Sequence, residues 1–322
     1  MAFPNVSDII ATTIENRSAK IADNVTKNNA VLAQLSQKGR IKTVSGGSKI
    51  FQELSFAENA NAGWYSGYDL LPVAAQDVIS AAEFDFKQAA CPVTISGLDM
   101  LKNAGKEQII DLLEGRITVA ESTMSNLVSG GLYSDGTAAG GKQIEGLNKA
   151  VAMVNTNTYG AIDANTWVFW RNKVMDQTAA QMTATAIQGY FNTMWGQLVR
   201  GSDRPDLIMV DAGVWGVYLA SLQAMQRFTG TETGKLGFPT IKYMDADVVL
   251  DGGIGGFCPT NTAFFLNTNY LHYRPHSARN MTSLNPKNRY AINQDAEVQI
   301  LAWAGNLTCS GRQFQGRMDF NG

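Results

Sequence analysis

Residues 102–137 read KNAGKEQIIDLLEGRITVAESTMSNLVSGGLYSDGT, and their spacing decides the fold. Ile109, Leu113, Ile117, Ala120, Met124 and Leu127 recur at intervals of four, four, three, four and three. That rhythm puts them on one face of an α-helix. It predicts a continuous helix over 102–131, with Gly130 and Gly131 as its stop. At 1.5 Å per residue, roughly 25 helical residues span roughly 37 Å. A helix of that length can serve as a rigid strut across a flat molecule. The residues that follow, Tyr133-Ser134-Asp135-Gly136, carry the side chains of a turn.

Upstream of the helix the period changes to two. Ile50, Leu54 and Phe56 alternate with Phe51, Glu53 and Ser55. Val78, Ala82, Phe84 and Phe86 alternate with Glu83, Asp85 and Lys87. These are the two strands of a long hairpin within 40–93. Between them, 58–72 mixes Asn and Gly turn residues with Trp64, Tyr65, Tyr68, Leu70 and Leu71. Aromatics at the tip of a hairpin find little of their own domain to bury against, so they are expected to pack on another chain. Folding back onto the chain's own core is the competing outcome. Further upstream, Ile10, Ile14, Ile21, Val25 and Leu32 form a narrow apolar stripe on a helix over 7–39, closed by Gly39. The stripe is too thin to stabilise an isolated helix, so it needs a neighbouring subunit or the chain's own body as partner.

Downstream of Gly146 the pattern is mixed. Asn165 or Thr166 is placed to cap a helix reaching about Gln177. Residues 183–200 carry Ile187, Phe191, Met194, Trp195 and Leu198 at helical spacing, 207–210 read as a short buried strand, and 214–225 as a further helix. Residues 240–250, 263–266 and 271–274 read as strands between turns, and 297–303 with 312–318 as a terminal pair. The fold class is α+β.

Composition narrows the chemistry. Of 322 residues 45% are hydrophobic, enough for a large core, but only 17% are charged. A surface rich in neutral polar groups is buried against copies of itself at lower desolvation cost than a charged one. With 26 basic and 28 acidic residues the net charge is −2, so contact with DNA is expected to be weak and non-specific. Cys91, Cys258 and Cys309 show neither metal spacing nor a disulfide framework, and read as small buried hydrophobes in a reducing compartment. No secretory signal and no 18-residue apolar run is found, which points to synthesis in the cytoplasm and no membrane contact.

The stretch 136–143 matches the GxxxxGK half of a phosphate-binding loop, but Gln143 stands where a magnesium-binding hydroxyl is needed, and the loop follows a helix rather than a strand. His272 and His276 have i, i+4 spacing with Pro275 between them, unsuited to a metal site on a helix. Ser45-Gly46-Gly47-Ser48-Lys49 reads as a hairpin loop, and the glycine run at 251–256 as a mobile turn lacking a dinucleotide fingerprint. Asp245 and Asp247 have no evident partner acid. No catalytic residue, metal or cofactor is expected, and the chain is not read as an enzyme.

The order of parts resembles the major capsid protein of tailed phages with the Hong Kong 97-type fold. Local likenesses are Leu132-Tyr133-Ser134-Asp135-Gly136-Thr137 followed by Ile144-Glu145-Gly146-Leu147-Asn148, then Arg204-Pro205-Asp206-Leu207-Ile208-Met209-Val210 running into Val214-Trp215, and Leu236-Gly237-Phe238-Pro239. The resemblance spans about residues 5–318. It implies an N-terminal arm (1–39), an extended loop (40–93), a peripheral domain with a spine helix (94–148 and 286–322) and an axial domain (149–285). It also implies hexamers and pentamers closing into an icosahedral virion shell around double-stranded DNA. Ile10, Ile14, Ile21, Trp64, Tyr65 and Tyr68 are then the expected intersubunit contacts. Many relatives begin with a longer extension that is later removed; here the arm starts near Met1, which suggests a separate scaffolding protein beside the portal. Gly46-Gly47 and Gly130-Gly131 are expected hinges. Lys49 and Lys87 lie on the hairpin, but nothing marks an acceptor for cross-linking. An encapsulin-type compartment shares the implied fold, and a soluble α+β enzyme or binding module is the alternative from another class.

Overall fold

The computed structural model describes residues 30–102, 112–224, 240–253, 255–284 and 295–322. Ile10, Ile14, Ile21, Val25 and Ile109 lie outside the described residues, as do 236–239 and the side chain of Leu113.

The first described helix, α1 (Ala30–Gln37), ends at Gly39, whose φ of 67° lets Arg40 N–H reach back to the Leu35 carbonyl. Its inner face, Ala30, Val31, Gln34 and Leu35, is buried in the chain's own body. Next, β1 (Ile50–Ser55) and β2 (Ile79–Phe84) pair antiparallel in an isolated two-stranded ribbon, in the register Ile50↔Phe84 to Ser55↔Ile79. The ribbon stops there. β3 (Lys87–Ser96) already belongs to another sheet, where it pairs with β13 (Ala296–Cys309). Pro92 is tolerated in β3 because this is an edge strand. On the other side of β13 run β11 (Leu271–Pro275) and β12 (Thr282–Ser283).

A short helix, α2 (Gly97–Lys102), precedes the long helix α3 (Leu112–Leu132), which packs across β3 and β13 through Ala120 against Val93 and Leu301. Two details differ from the expected helix. The buried row is Ala120, Met124, Val128 and Leu132, a strict spacing of four, while Leu127 is 53% exposed. In addition, Gly130 and Gly131 do not stop the helix. They let neighbours close in: a Cβ on Gly131 would stand 2.9 Å from Ile144 Cδ1, and one on Gly130 would stand 3.2 Å from the Phe257 ring. Packed inside a helix, they are not a hinge.

The second sheet has the order β6 (Lys173–Asp176), β14 (Gly316–Asp319), β10 (Thr262–Leu266), β7 (Leu207–Val210), β9 (Ala246–Leu250), β8 (Thr240–Tyr243). β7 is buried along its whole length. The helix α4 (Ile187–Leu198) lays its predicted stripe, Ile187, Phe191, Met194, Trp195 and Leu198, on this sheet, and α5 (Ala212–Ala224) packs beside it through Val214 and Tyr218. The tiny hairpin of β4 (Thr158–Tyr159) and β5 (Ile162–Asp163) sits under the ribbon.

Three local readings give way to this topology. Residues 165–177 form a short 3₁₀ turn, Val168–Trp170, and then β6. The Thr166 hydroxyl is already engaged, donating to Asp163, which also accepts from the backbone N–H of Asn165, and the strand is claimed by β14. The stretch 240–250 breaks into β8 and β9 at Met244-Asp245, with Met244 at φ 52°. The terminal strands β13 and β14 do not pair with each other but end in different sheets. Residues 87–93 and 271–283 therefore side with the β13 sheet, and 316–319 with the six-stranded one, across the expected domain boundaries. Ser45–Lys49 is likewise a lead-in to β1 rather than a hairpin loop.

Gly146 ties the end of α3 to the next segment. A Cβ there would stand 2.4 Å from the Leu132 carbonyl oxygen and 2.5 Å from that of Gly131. Its φ of −83° suits any residue, so the requirement is steric. Gly146→Ala is expected to cost about 1–3 kcal/mol, read as a lower denaturation midpoint with unchanged m-value.

Candidate assembly surface

The root of the ribbon is firmly built. Ile50, Leu54, Ala82 and Phe84 are buried in the main core, and the Phe84 ring meets Tyr159 edge-on with centroids 5.0 Å apart. Gly160, at φ 60°, passes under the ribbon so closely that a Cβ would stand 2.8 Å from Phe84, and its carbonyl accepts from Glu83 N–H. Lys49 pairs with Glu83 at 2.7 Å, and Arg274 donates to Gln52 at 2.6 Å. The hydrogen bond that Lys49 donates to Glu83, with the ion pair, holds Lys49 above the ordinary lysine pKa.

Beyond Ser55 and Ile79 the character reverses. The segment holds itself together with a few local bonds: Asn61 to the Ala74 carbonyl at 2.5 Å, and Ser66 N–H to Asp69 at 2.8 Å. Its apolar side chains touch almost nothing. Trp64 and Tyr68 are fully exposed, and Leu70 and Val73 are more than nine-tenths exposed, with Tyr65 and Leu71 largely so. Phe51 and Ile79 add apolar surface on the outer face of the root. Burying a side chain of this size is worth about 1.5–3 kcal/mol each, so leaving six of them in water is a large forgone stabilisation.

Trp64, Tyr65 and Tyr68 thus stand together on one exposed projection, as their placement between two strands predicts. Residues Ile10, Ile14 and Ile21 are among those not described. Sequence patterning did not find a second exposed group: Val119 and Leu127 on the outer face of α3, Leu98 and Leu101 on α2, and Trp167 with Val168 near the ribbon root. A helix face carrying one apolar residue in eight gives no periodic signal.

The stretches that mimic chemical sites resolve into structure. Residues 138–141 form one distorted turn with Ala139, Gly140 and Gly141 at positive φ, and it opens no helix. Asp251 is buried and accepts from Tyr133 Oη at 2.6 Å, and a Cβ on Gly252 would stand 2.4 Å from Ala212 N, so the start of that glycine run is packed, while Gly253 has open space around it. His272 sits in β11, and His276 Nδ1 accepts from Ala278 N–H just beyond it. Asp245 pairs with Arg204. Cys309 is buried, and burial pushes its thiol up to about 12; Cys91 and Cys258 are half-buried. Among the described residues no three His, Cys, Asp or Glu side chains converge as a metal site.

The whole chain superposes on solved shell proteins. The capsid of cyanophage A-1(L) matches with a TM-score of 0.68 at 17% identity, over 98% of this chain and 99% of that one. The fold is the Hong Kong 97-type capsid fold. The capsid of the native GTA particle matches at 0.66 and 12% identity over the full length of both chains. The SrpI encapsulin of Synechococcus elongatus PCC 7942 matches at 0.62 and 8% identity, over 100% of this chain and 96% of that one. No protein-family model and no curated protein sequence matches the chain. In the terms of this fold, β1 and β2 with the segment between them are the extended loop, and α3 is the spine helix.

Proposed function

We propose that this chain is the major shell subunit of a tailed-phage head, forming hexamers and pentamers that close into an icosahedral capsid around double-stranded DNA. The observation that carries the reading is the extended loop: its root is anchored by Ile50, Leu54 and Phe84, while Trp64, Tyr65, Tyr68 and Leu70 project largely uncovered among the described residues. A sister subunit is the surface that covers them. A contact that joins a projection to a different patch on the next copy is heterologous, and such contacts close into rings. Each contact is modest, and their number per subunit makes the shell stable. A separate scaffolding protein and a portal belong to the same reading, as does a place in the virion.

The encapsulin match favours one competing shell, a compartment loaded with a cargo protein instead of DNA. Electron microscopy of purified particles and assay of their content separates the two.

Deleting residues 59–70 is expected to leave a soluble, folded chain that forms no closed shells. None of the removed side chains belongs to the subunit's core, so its unfolding free energy should stay within about 0.5 kcal/mol of wild type. Normal shells from the deleted chain would overturn the role given to the loop.

A further inference from the structure

Four basic or titratable side chains converge on one face of the β13 sheet, where β11 runs. The segment after α1 runs parallel to β11, with Ile41 paired to Tyr273 and with Lys42 N–H and the Arg40 carbonyl both bonded to the Tyr273 backbone. Side chains alternate along extended backbone. Ile41 and Tyr273 therefore share one face, and Arg40, Lys42, His272 and Arg274 share the other. The two guanidinium groups are oriented by neutral amides: Arg40 by Asn269, and Arg274 by Gln52. Among the described residues none of Arg40, Lys42 and Arg274 forms an ion pair. Arg40 Nε, Arg274 Nε and His272 Nδ1 are buried without a partner, and His272 is only 4% exposed. Burial, and then the field of Lys42, Arg274 and Arg40, holds His272 down to about 4, so the charges that bear on it are all positive. In a chain with net charge −2, three unpaired cations around a buried imidazole are a local excess, not a reflection of overall basicity.

We infer that the strip formed by Arg40, Lys42, His272 and Arg274 is a phosphodiester-binding site for nucleic acid. Residues i and i+2 on a strand stand about 7 Å apart, so each strand offers cations or donors at the spacing of two nucleotide rises. Guanidinium groups match phosphate oxygens in a two-pronged geometry. An anion there relieves the mutual repulsion of the three cations. The acidic alternative within this chain fits less well. From β1 to the end of β2 the extended loop of a sister copy carries Glu53, Glu58, Asp69, Asp77 and Glu83, whose separations of five, eleven, eight and six residues never present two carboxylates at adjacent positions of one strand face, and Glu83 is already paired with Lys49. The inference rests on the shell reading only for the source of the DNA.

The test is fluorescence anisotropy of the full chain with a labelled oligonucleotide duplex across a salt series, with polyglutamate and a peptide copy of residues 50–79 as competitors. Three neutralised phosphates give a log–log salt slope of about −2.7, a loss of about 40-fold between about 50 and about 200 mM salt. Lys42 is exposed, so Lys42→Gln leaves the fold intact; its slope should fall to about −1.8, a loss of about 12-fold over the same range. Arg40→Gln with Arg274→Gln should remove most of the remainder, with circular dichroism as the folding check. An unchanged slope in Lys42→Gln, no binding at low salt, or equal competition by the 50–79 peptide each overturns the site. Shell formation is scored on the same samples. Shells without DNA binding sink this inference alone, and salt-dependent binding without shells supports it while sinking the shell reading.

Discussion

Replacing Arg312 by methionine is expected to cost the folded subunit about 3–5 kcal/mol. Arg312 is fully buried at the junction between the loops that leave Gly146 and the strand β14. Its Nε donates to the Ala150 carbonyl at 2.7 Å, and Nη2 donates to Asn157 Oδ1 at 2.7 Å and to Asn172 Oδ1 at 3.2 Å. The guanidinium carbon lies 5.3 Å from the centre of the Tyr159 ring. None of these partners is a carboxylate. The cation is solvated by carbonyl dipoles and an aromatic face, and burial pulls its pKa below the ordinary arginine value. Replacing both sides of a buried polar pair with apolar groups can be neutral. Here methionine replaces one side only, and the carbonyl of Ala150 and the side chains of Asn157 and Asn172 lose a donor. Each buried acceptor left unpaired costs about 1–3 kcal/mol. Arg312→Lys should fall between, because one ammonium cannot reach all three directions. Denaturant unfolding measures the effect, and a methionine variant within about 0.5 kcal/mol of wild type would show that these acceptors need no protein donor.

The network explains which parts of the fold were legible beforehand. The stripe on α4 and the strand β7 follow from spacing over a few residues, and both appear where the pattern puts them. Likewise, β1 and β2 are visible as alternation. What local pattern does not carry is pairing at a distance. β6 looks like a capped helix until β14, some 140 residues away, claims it as a parallel neighbour. Residues 312–318 look like the partner of β13, yet the turn at Arg312–Phe314 carries the chain into the other sheet. Gly130 and Gly131 look like a helix stop because their use is spatial: they make room for Phe257 and Ile144.

The candidate surfaces divide in the same way. The exposed tip is readable because Trp64, Tyr65 and Tyr68 lie within five residues of one another, between two strands too short to cover them. The basic strip is not readable, since Arg40 and Arg274 are 234 positions apart and only the pairing of Ile41 with Tyr273 brings them together.

Tyr133→Phe is expected to cost about 3 kcal/mol at a pH where Asp251 is ionised, and much less in acid. Tyr133 sits at the end of the spine helix and Asp251 at the end of β9, so their 2.6 Å bond ties the spine to the six-stranded sheet. Asp251 is 1% exposed, and among the described residues its carboxylate has one other donor, Phe257 N–H at 3.4 Å. Burial pushes its carboxyl above the ordinary aspartate value, and the bonds from Tyr133 and Phe257 pull it partly back. The sign follows from linkage. A raised folded pKa means that folding favours the protonated form, so the contribution of Asp251 is complete below the unfolded value of about 4 and is lost as pH rises through the folded value. Removing the Tyr133 hydroxyl raises the folded value further, so the deficit of the variant grows with pH. Asp135, Asp163 and Asp203, whose folded values are lowered, drive the opposite trend, a loss of stability as pH falls, but they do so equally in wild type and variant and cancel in the difference. Adding Asp251→Asn should recover most of the loss at high pH, since the amide carries no charge to strand. A deficit that stays constant from about pH 4 to pH 8 would mean that the Tyr133 hydroxyl does not act through the charge on Asp251, since the variant keeps the ring that packs on Phe264.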